Sequence, residues 1–175
     1  MADVIVRTAS AEDIPAITAI YRPAVLTGTA SFELEPPSED EMRRRFDAMI
    51  SGGYPYLAAE IDGQIVGYGY ASAFRPRPAY RFTVENSVYV TPDRHGQGIG
   101  RALLEALITA CTERGYRQMI AVIGDSAQRA SIGLHHALGF TYTGTLRSVG
   151  FKHGRWLDIV LMQRTLGDGE SAPPA

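Results

Sequence analysis

One segment constrains this chain most: Thr91-Pro92-Asp93-Arg94-His95-Gly96-Gln97-Gly98-Ile99-Gly100, a glycine-rich turn between two regular elements. Before it runs Phe82 to Val90, rich in β-branched residues and read as a strand. After it, Ala102, Leu103, Leu104, Leu107, Ile108 and Cys111 fall at helical spacing, and Gly115 ends the helix as a left-handed cap. Alternate glycines let the backbone approach a ligand, and successive N–H groups can converge on one anion. The positive end of the helix dipole adds to that attraction, so a pyrophosphate is the natural guest.

The strand–turn–helix unit continues into Gln118 to Ile123, an apolar β-branched run. Strand–helix–strand order demands a crossover and parallel pairing. Elsewhere the pattern is antiparallel. Tyr56 to Ile61 and Gln64 to Ala71 flank Asp62-Gly63, a hairpin signal. Arg75-Pro76-Arg77-Pro78 interrupts the strand pattern. Val4-Ile5-Val6 reads as a first strand. Asp13 is expected to cap a helix bearing Ile14, Ile17, Tyr21 and Val25 on one face. Ser38 to Glu41 reads as a capping box opening a helix with Met42, Phe46 and Ile50 inward. Thr27 to Pro37 between these helices is a long irregular loop, which in a compact domain is often functional. Ala127 to Leu138 reads as a helix ended by Gly139, and Phe140 to Leu146 and Trp156 to Gln163 as closing strands. The expectation is an α/β (α+β) fold with a mixed sheet. It has a single domain over 1–166 and a flexible tail over 167–175.

Composition narrows the function classes. Seventeen Lys+Arg against nineteen Asp+Glu give a net charge of −2 over 175 residues, which is no nucleic-acid footprint. Cys111 is alone, so neither a disulfide nor a Cys-rich zinc site is expected, and the four histidines lack metal-ligand spacing with acids. No apolar run approaches the ~20 residues of a membrane helix. Met1-Ala2-Asp3 does not begin a secretory leader, so the expected location is cytoplasmic.

Three anion-binding motifs compete for the glycine turn. A Walker A loop requires Lys-Ser/Thr after its last glycine, whereas Arg101-Ala102 follows Gly100. A dinucleotide fingerprint requires G-x-G-x-x-G and an acid beyond a second strand. Here the spacing is G-x-G-x-G, and the next acids, Glu105 and Glu113, lie on the helix itself. The remaining pattern is R/Q-x-x-G-x-G/A, and on it the chain resembles the GNAT superfamily of N-acetyltransferases, which bind acetyl-CoA. One residue departs from that pattern: His95 stands at the usual Arg/Gln position, with Arg94 one place early. Further stretches resemble the phosphinothricin and methionine sulfone/sulfoximine branch of that superfamily. They are Thr29-Ala30-Ser31-Phe32-Glu33, Phe74 to Arg81, Thr83 to Val90, Val122 to Ser126, and Gly144 to Arg147 through Gly150 to Trp156.

The resemblance implies a GNAT fold, a mostly antiparallel central sheet with one splayed parallel pair and flanking helices. It implies acetyl transfer from acetyl-CoA, by direct attack, to the α-amine of a small amino-acid analogue. Glu85 matches the general base, although strand alternation alone also permits a solvent-facing Glu85. His135 matches the position from which a proton reaches the leaving thiolate; His136 is read as a surface or core residue. The backbone of Val88, Tyr89 and Val90 would hold the pantetheine arm and stabilise the oxyanion. His95, Gly96, Gln97, Gly98, Ile99, Gly100 and Arg101 would cradle the pyrophosphate, and Gln128 would retain an amide contact to the coenzyme. Arg75 and Arg77 about Pro76 would clamp the anionic groups of the acceptor, beside Glu85, Asn86 and Ser87. A solvated basic bulge at a sheet edge is the alternative for this segment. Phe32 would wall the acceptor pocket, and Lys152 would add a charge from this or a neighbouring subunit. Cys111 is read as core. The resemblance also implies a homodimer; on charge, histidine spacing and the length of apolar runs, no metal, nucleic acid or membrane is expected among the partners. Two other functions fit the same residues: acetylation of another amine, and a non-catalytic CoA-binding sensor.

Overall fold

A computed structural model describes residues 3–174. Met1 and Ala2, part of the leader reading, and Ala175, the end of the tail, lie outside the described residues. Strand β1 (Ile5–Thr8) leads through a 3-10 turn into helices α1 (Ile14–Leu26) and α2 (Glu39–Ser51). Strands β2 (Tyr56–Ile61), β3 (Gln64–Ala73) and β4 (Thr83–Val90) follow, then α3 (Ile99–Glu113), β5 (Gln118–Gly124) and α4 (Arg129–Ala137). The hairpin β6 (Thr141–Lys152) and β7 (Arg155–Thr165) closes the sheet.

The seven strands lie in the order β1-β2-β3-β4-β5-β7-β6, and β4–β5 is the one parallel pair among the described residues. The crossover through α3 forces that pair, as the sequence order requires. Its pairing runs only from Thr83↔Gln118 to Asn86↔Ala121. Beyond it, β4 stays paired to β3 as far as Gly67↔Val90, and β5 stays paired to β7 as far as Gly124↔Ile159. Two securely paired half-sheets therefore part at Asn86, and a cleft opens between them.

Strand alternation builds a layer on each face. Tyr56, Ala58 and Tyr68 meet Ile14, Ile17, Tyr21 and Val25 of α1 and Met42 and Phe46 of α2. From the other face, Leu57, Ala59 and Val66 meet Ile99, Leu103 and Leu107 of α3. Leu104 and Cys111 continue the α3 stripe onto Val84, Met119 and Ala121. Ile50 departs from the expected inward face of α2 and is 43% exposed.

The helix starts differ from expectation in an informative way. Asp13 makes no cap to α1; its carboxylate accepts from Ser10 N–H at 2.8 Å and from both terminal nitrogens of Arg7 at 2.8 and 2.9 Å. Arg7 is therefore the competitor that took the expected capping group. Ser38 does cap α2, accepting from Glu41 N–H at 3.2 Å. Glu41 completes no capping box, because Arg44 and Arg45 engage its carboxylate. Helix α4 starts later than expected, since the Asp125 carboxylate takes Ala127 N–H at 3.0 Å in a turn. The closing strands extend well past expectation to a two-residue turn at His153-Gly154, both at positive φ. Their length was masked by a bulge between Leu146 and Gly150, which breaks the two-residue period. Past β7, Arg117 donates to the carbonyls of Gly169 and Pro173.

Candidate active site

The cleft between β4 and β5 holds about 640 Å³ and is roofed by the start of α3 and by α4. Val88, Tyr89 and Val90 line one wall, Ala121 to Gly124 the other, and His95, Gly96, Gly98, Ile99, Gly100 and Arg101 its mouth. Gly96 and Gly98 lie at φ +78° and +83°, where a side chain costs strain, yet a Cβ at either would touch nothing within 4 Å. They are glycines for their backbone shape. Gly98 also begins α3 without a side-chain cap, so the N–H groups of the first helical turn remain available to an anion. Gly100 is ordinary in backbone but critical in space. A Cβ there would stand 3.4 Å from Leu134 Cδ2 and 3.8 Å from Val90 Cγ2, in the gap between α4 and the β4 wall. An open gap beside uncapped N–H groups suits a thin, anionic, extended ligand such as the pantetheine diphosphate of a coenzyme A.

Of the expected coenzyme contacts, Gln97 falls outside the lining, and His95 lines the mouth with its ring bonded to the backbone. The His95 ring is folded back and donates to the Val90 carbonyl at 2.9 Å, while Arg94 lines the cleft. Gln97 is exposed and outside the lining. Gln128 lines the cleft, and its amide donates to Thr29 Oγ1 at 3.1 Å, a hydroxyl that in turn donates to Asp125 at 3.0 Å.

At the point of divergence, Asn86 departs from the expected acceptor role. It is 6% exposed, on the coenzyme side, and its amide donates to the Ile120 carbonyl at 3.2 Å. Its Oδ1 faces His135 Nε2 at 3.0 Å, and His135 Nδ1 lies 2.8 Å from the Ser131 carbonyl. Asn86 thus joins β4, β5 and α4 at the apex of the cleft. Both ring nitrogens face oxygens, so the doubly protonated ring satisfies both contacts. Burial works against that charge and lowers the His135 pKa.

The opposite face of β4 carries Glu85, Ser87 and Tyr89, which alternation turns toward α1 and α2. Glu85 is half-buried; burial raises its pKa and the Arg75 charge opposes that rise. Across the β3–β4 ladder Ser87 pairs with Tyr70, and Tyr70 stacks at 5.0 Å on Tyr56. Tyr68 stacks at 5.3 Å on Tyr89, and Tyr21 meets Tyr89 edge-on at 5.0 Å. Tyr89 therefore gives the cleft its backbone while its side chain belongs to this tyrosine wall. Sequence reasoning missed the wall. Its only signal was the alternation Tyr68-x-Tyr70, which reads equally as core. Arg75 lies over the Phe74 ring at 5.1 Å, and Pro76 and Arg77 are exposed on the same connection.

The loop after α1 is fastened over this face. Lys152, expected to add a charge to the site, is 4% exposed and donates to the Ser31 carbonyl at 2.7 Å. Ser31 Oγ exchanges a hydrogen bond with Tyr21 at 2.7 Å and accepts from Glu33 N–H at 3.1 Å. The Phe32 ring lies against Gly150 so closely that a Cβ there would come within 2.3 Å of it. Glu33, also missed from sequence, pairs with Arg45 at 2.7 Å. No group of three or more His, Cys, Asp or Glu among the described residues could hold a metal ion.

Comparison with known proteins agrees with this geometry. Residues 6–161 match the acetyltransferase (GNAT) domain family. The chain is 56% identical to a phosphinothricin N-acetyltransferase of Alcaligenes faecalis over 97% of its own length and 86% of that protein's. It is 42% identical to an L-methionine sulfoximine/L-methionine sulfone acetyltransferase of Pseudomonas aeruginosa, over 96% and 98% of the two chains. Among solved structures, a GNAT superfamily phosphinothricin acetyltransferase from Sinorhizobium meliloti in complex with acetyl-CoA superposes with a TM-score of 0.96. The two are 53% identical, over 98% of this chain and 93% of that one. A glycine cradle at a splayed parallel pair, a half-buried carboxylate behind it and relatives of this identity agree: the chain belongs to the GNAT acetyltransferase family.

Proposed function

We propose that this protein moves the acetyl group of acetyl-CoA to the α-amine of a small amino-acid analogue with a tetrahedral head group, such as phosphinothricin, methionine sulfoximine or methionine sulfone. The observation that carries the reading is Glu85. Its carboxylate is half-buried, its pKa is raised by burial, and it stands where the β4–β5 pairing ends, behind the glycine cradle.

Acetyl-CoA supplies an activated thioester carbonyl. The chain's own residues do the rest. The cradle of Gly96 to Arg101 holds the anionic end of the coenzyme, and the β4 backbone from Val88 to Val90 runs beside its arm. Glu85 takes a proton from the acceptor ammonium, freeing the nucleophilic lone pair; a raised pKa makes it a stronger base for that task. Arg75 and Arg77 hold the acceptor's carboxylate. As the tetrahedral centre collapses the attacking nitrogen loses its second proton to solvent, and His135, which lines the cleft, protonates the departing thiolate, for which its contact with Asn86 must open. The names of the relatives and the acidic–basic make-up of this face support the acceptor class.

Two wider readings accompany this one. The reaction belongs to a single catalytic domain, residues 1–166, working in the cytoplasm on a free small molecule. The working form is a homodimer, supported by Tyr142, Leu146, Val149, Phe151 and Trp156, exposed together on the edge hairpin β6–β7. Sedimentation tests the dimer.

The activity is tested by thiol release from acetyl-CoA with phosphinothricin, methionine sulfoximine, methionine sulfone, the ordinary amino acids and spermidine. Turnover confined to the tetrahedral-headed analogues is expected. Turnover only on other amines overturns the acceptor class. Coenzyme binding without turnover on any acceptor overturns the enzyme reading in favour of a sensor.

A further inference from the structure

The tyrosine face holds one carboxylate oxygen without a use. Glu33 Oε1 is held by Arg45 at 2.7 Å, and Arg45 is itself held by Glu41 at 2.9 Å. Glu33 Oε2 is buried and has no hydrogen-bond partner among the described residues. Glu33 itself is fixed in the loop, with its side chain 33% exposed. Its backbone N–H is tied to Ser31 Oγ, and Ser31 is fixed by Tyr21 and by the buried Lys152 ammonium.

A buried carboxylate oxygen left unpaired is costly, so a donor is wanted there. Its place is marked by its neighbours: Ser31, whose hydroxyl accepts the Glu33 N–H, also bonds Tyr21 at 2.7 Å, and Tyr21 packs edge-on against Tyr89 at 5.0 Å. The Glu33 charge helps push Tyr21 up to about 12 and adds to the rise in Tyr70 and Tyr89. Tyr70 also feels Glu85, and it pairs across the ladder with Ser87. Glu33 therefore borders the tyrosine wall where Tyr21 meets Tyr89, and Glu85 lies on the same β4 face as Tyr89 and Ser87, two alternate positions further along. Glu85 is the end of this face where the α-amine must lie for proton removal. Glu33 is then the end that the acceptor's side chain reaches.

We propose that Glu33 is a specificity-determining residue for the acceptor, its free oxygen accepting a hydrogen bond from an N–H on the head group. This rests on the amino-acid acetyltransferase reading above. A sulfoximine carries such an N–H. A sulfone of the same shape carries only acceptor oxygens, and a phosphinate is anionic and repels the carboxylate. One hydrogen bond to a charged group corresponds to about tenfold or more in kcat/KM.

The test uses thiol release with methionine sulfoximine, methionine sulfone and phosphinothricin on the wild-type protein and on Glu33→Gln. The wild type is expected to favour sulfoximine over sulfone by about tenfold, mostly in KM. Glu33→Gln is expected to erase that preference and raise the phosphinothricin-to-sulfoximine ratio by at least as much, with acetyl-CoA affinity unchanged. Equal wild-type kcat/KM for sulfoximine and sulfone overturns the proposal without any mutant. So does a Glu33→Gln protein that binds acetyl-CoA normally and loses all three acceptors alike. Absence of wild-type turnover on every acceptor is a different result and overturns the acetyltransferase reading itself.

Discussion

Gly98 and Gly100 stand two residues apart in one turn, yet the structure gives them opposite reasons to be glycine, and substitutions should separate the two. At Gly98, φ is +83° and a Cβ would meet nothing within 4 Å. Gly98→Ala therefore adds backbone strain of roughly 1–2 kcal/mol, offset by about 0.4–1 kcal/mol from a stiffer unfolded chain. The net loss of about 1 kcal/mol lowers Tm by about 2–4 °C for a chain of this size. Gly100 lies inside α3 with an ordinary backbone, and its Cβ would come 3.4 Å from Leu134 and 3.8 Å from Val90. Gly100→Ala places a methyl in van der Waals contact and removes a poor helix former, so Tm should hold or rise. Gly100→Leu adds three further carbons in the gap the coenzyme must thread. Overpacking of that kind costs about 1–3 kcal/mol, here felt on ligand binding, so the acetyl-CoA KM should rise about tenfold or more. Thermal unfolding with and without acetyl-CoA, together with thiol-release kinetics, reads both effects. Wild-type acetyl-CoA affinity in Gly100→Leu would refute the placement of the coenzyme between Val90 and Leu134.

Three further outcomes follow from the same structure. Arg75→Ala removes the charge that opposes the burial-driven rise of Glu85, so the carboxyl gains pKa and the acid limb of kcat/KM against pH should move to higher pH. Lys152→Met strands the Ser31 carbonyl and should cost about 1–3 kcal/mol, seen as a lower Tm and a raised acceptor KM with acetyl-CoA KM unchanged. The Asp13 carboxyl is held below its usual range chiefly by the Arg7 hydrogen bonds, so its stabilisation is present at neutral pH and lost as pH falls below the unfolded value of about 3.9. Asp13→Asn should be less stable than wild type at pH 7 and should lose less on acidification in denaturant titrations.

What the sequence disclosed follows from the range of the interactions concerned. The Asp62-Gly63 turn, the Ser38 cap and the glycine cradle are local, and their residue types state their backbone needs directly. Tertiary competition was invisible. Asp13 looked like a cap until Arg7 claimed it, and nothing near Gln128 in sequence announces that its amide donates to Thr29, ninety-nine residues away. The neighbours of Lys152 in sequence give no sign of its partner, because the Ser31 carbonyl to which it donates is 121 residues distant. Asn86 is placed with the acceptor by the resemblance, which takes Glu85, Asn86 and Ser87 together. Strand alternation, applied strictly, would have put it on the other face with Val84 and Val88. Glu33 carries no local signal at all; only the assembled loop shows its spare oxygen.

The central claim is that Glu85 is the base that frees the acceptor amine. The direct test compares Glu85→Gln with wild type in thiol release from acetyl-CoA near neutral pH, alongside the coenzyme dissociation constant of each. A general base of this kind contributes about 10²–10⁴ in rate, so kcat/KM should fall by that factor while acetyl-CoA binds as before. Equal rates in the two proteins would contradict the account.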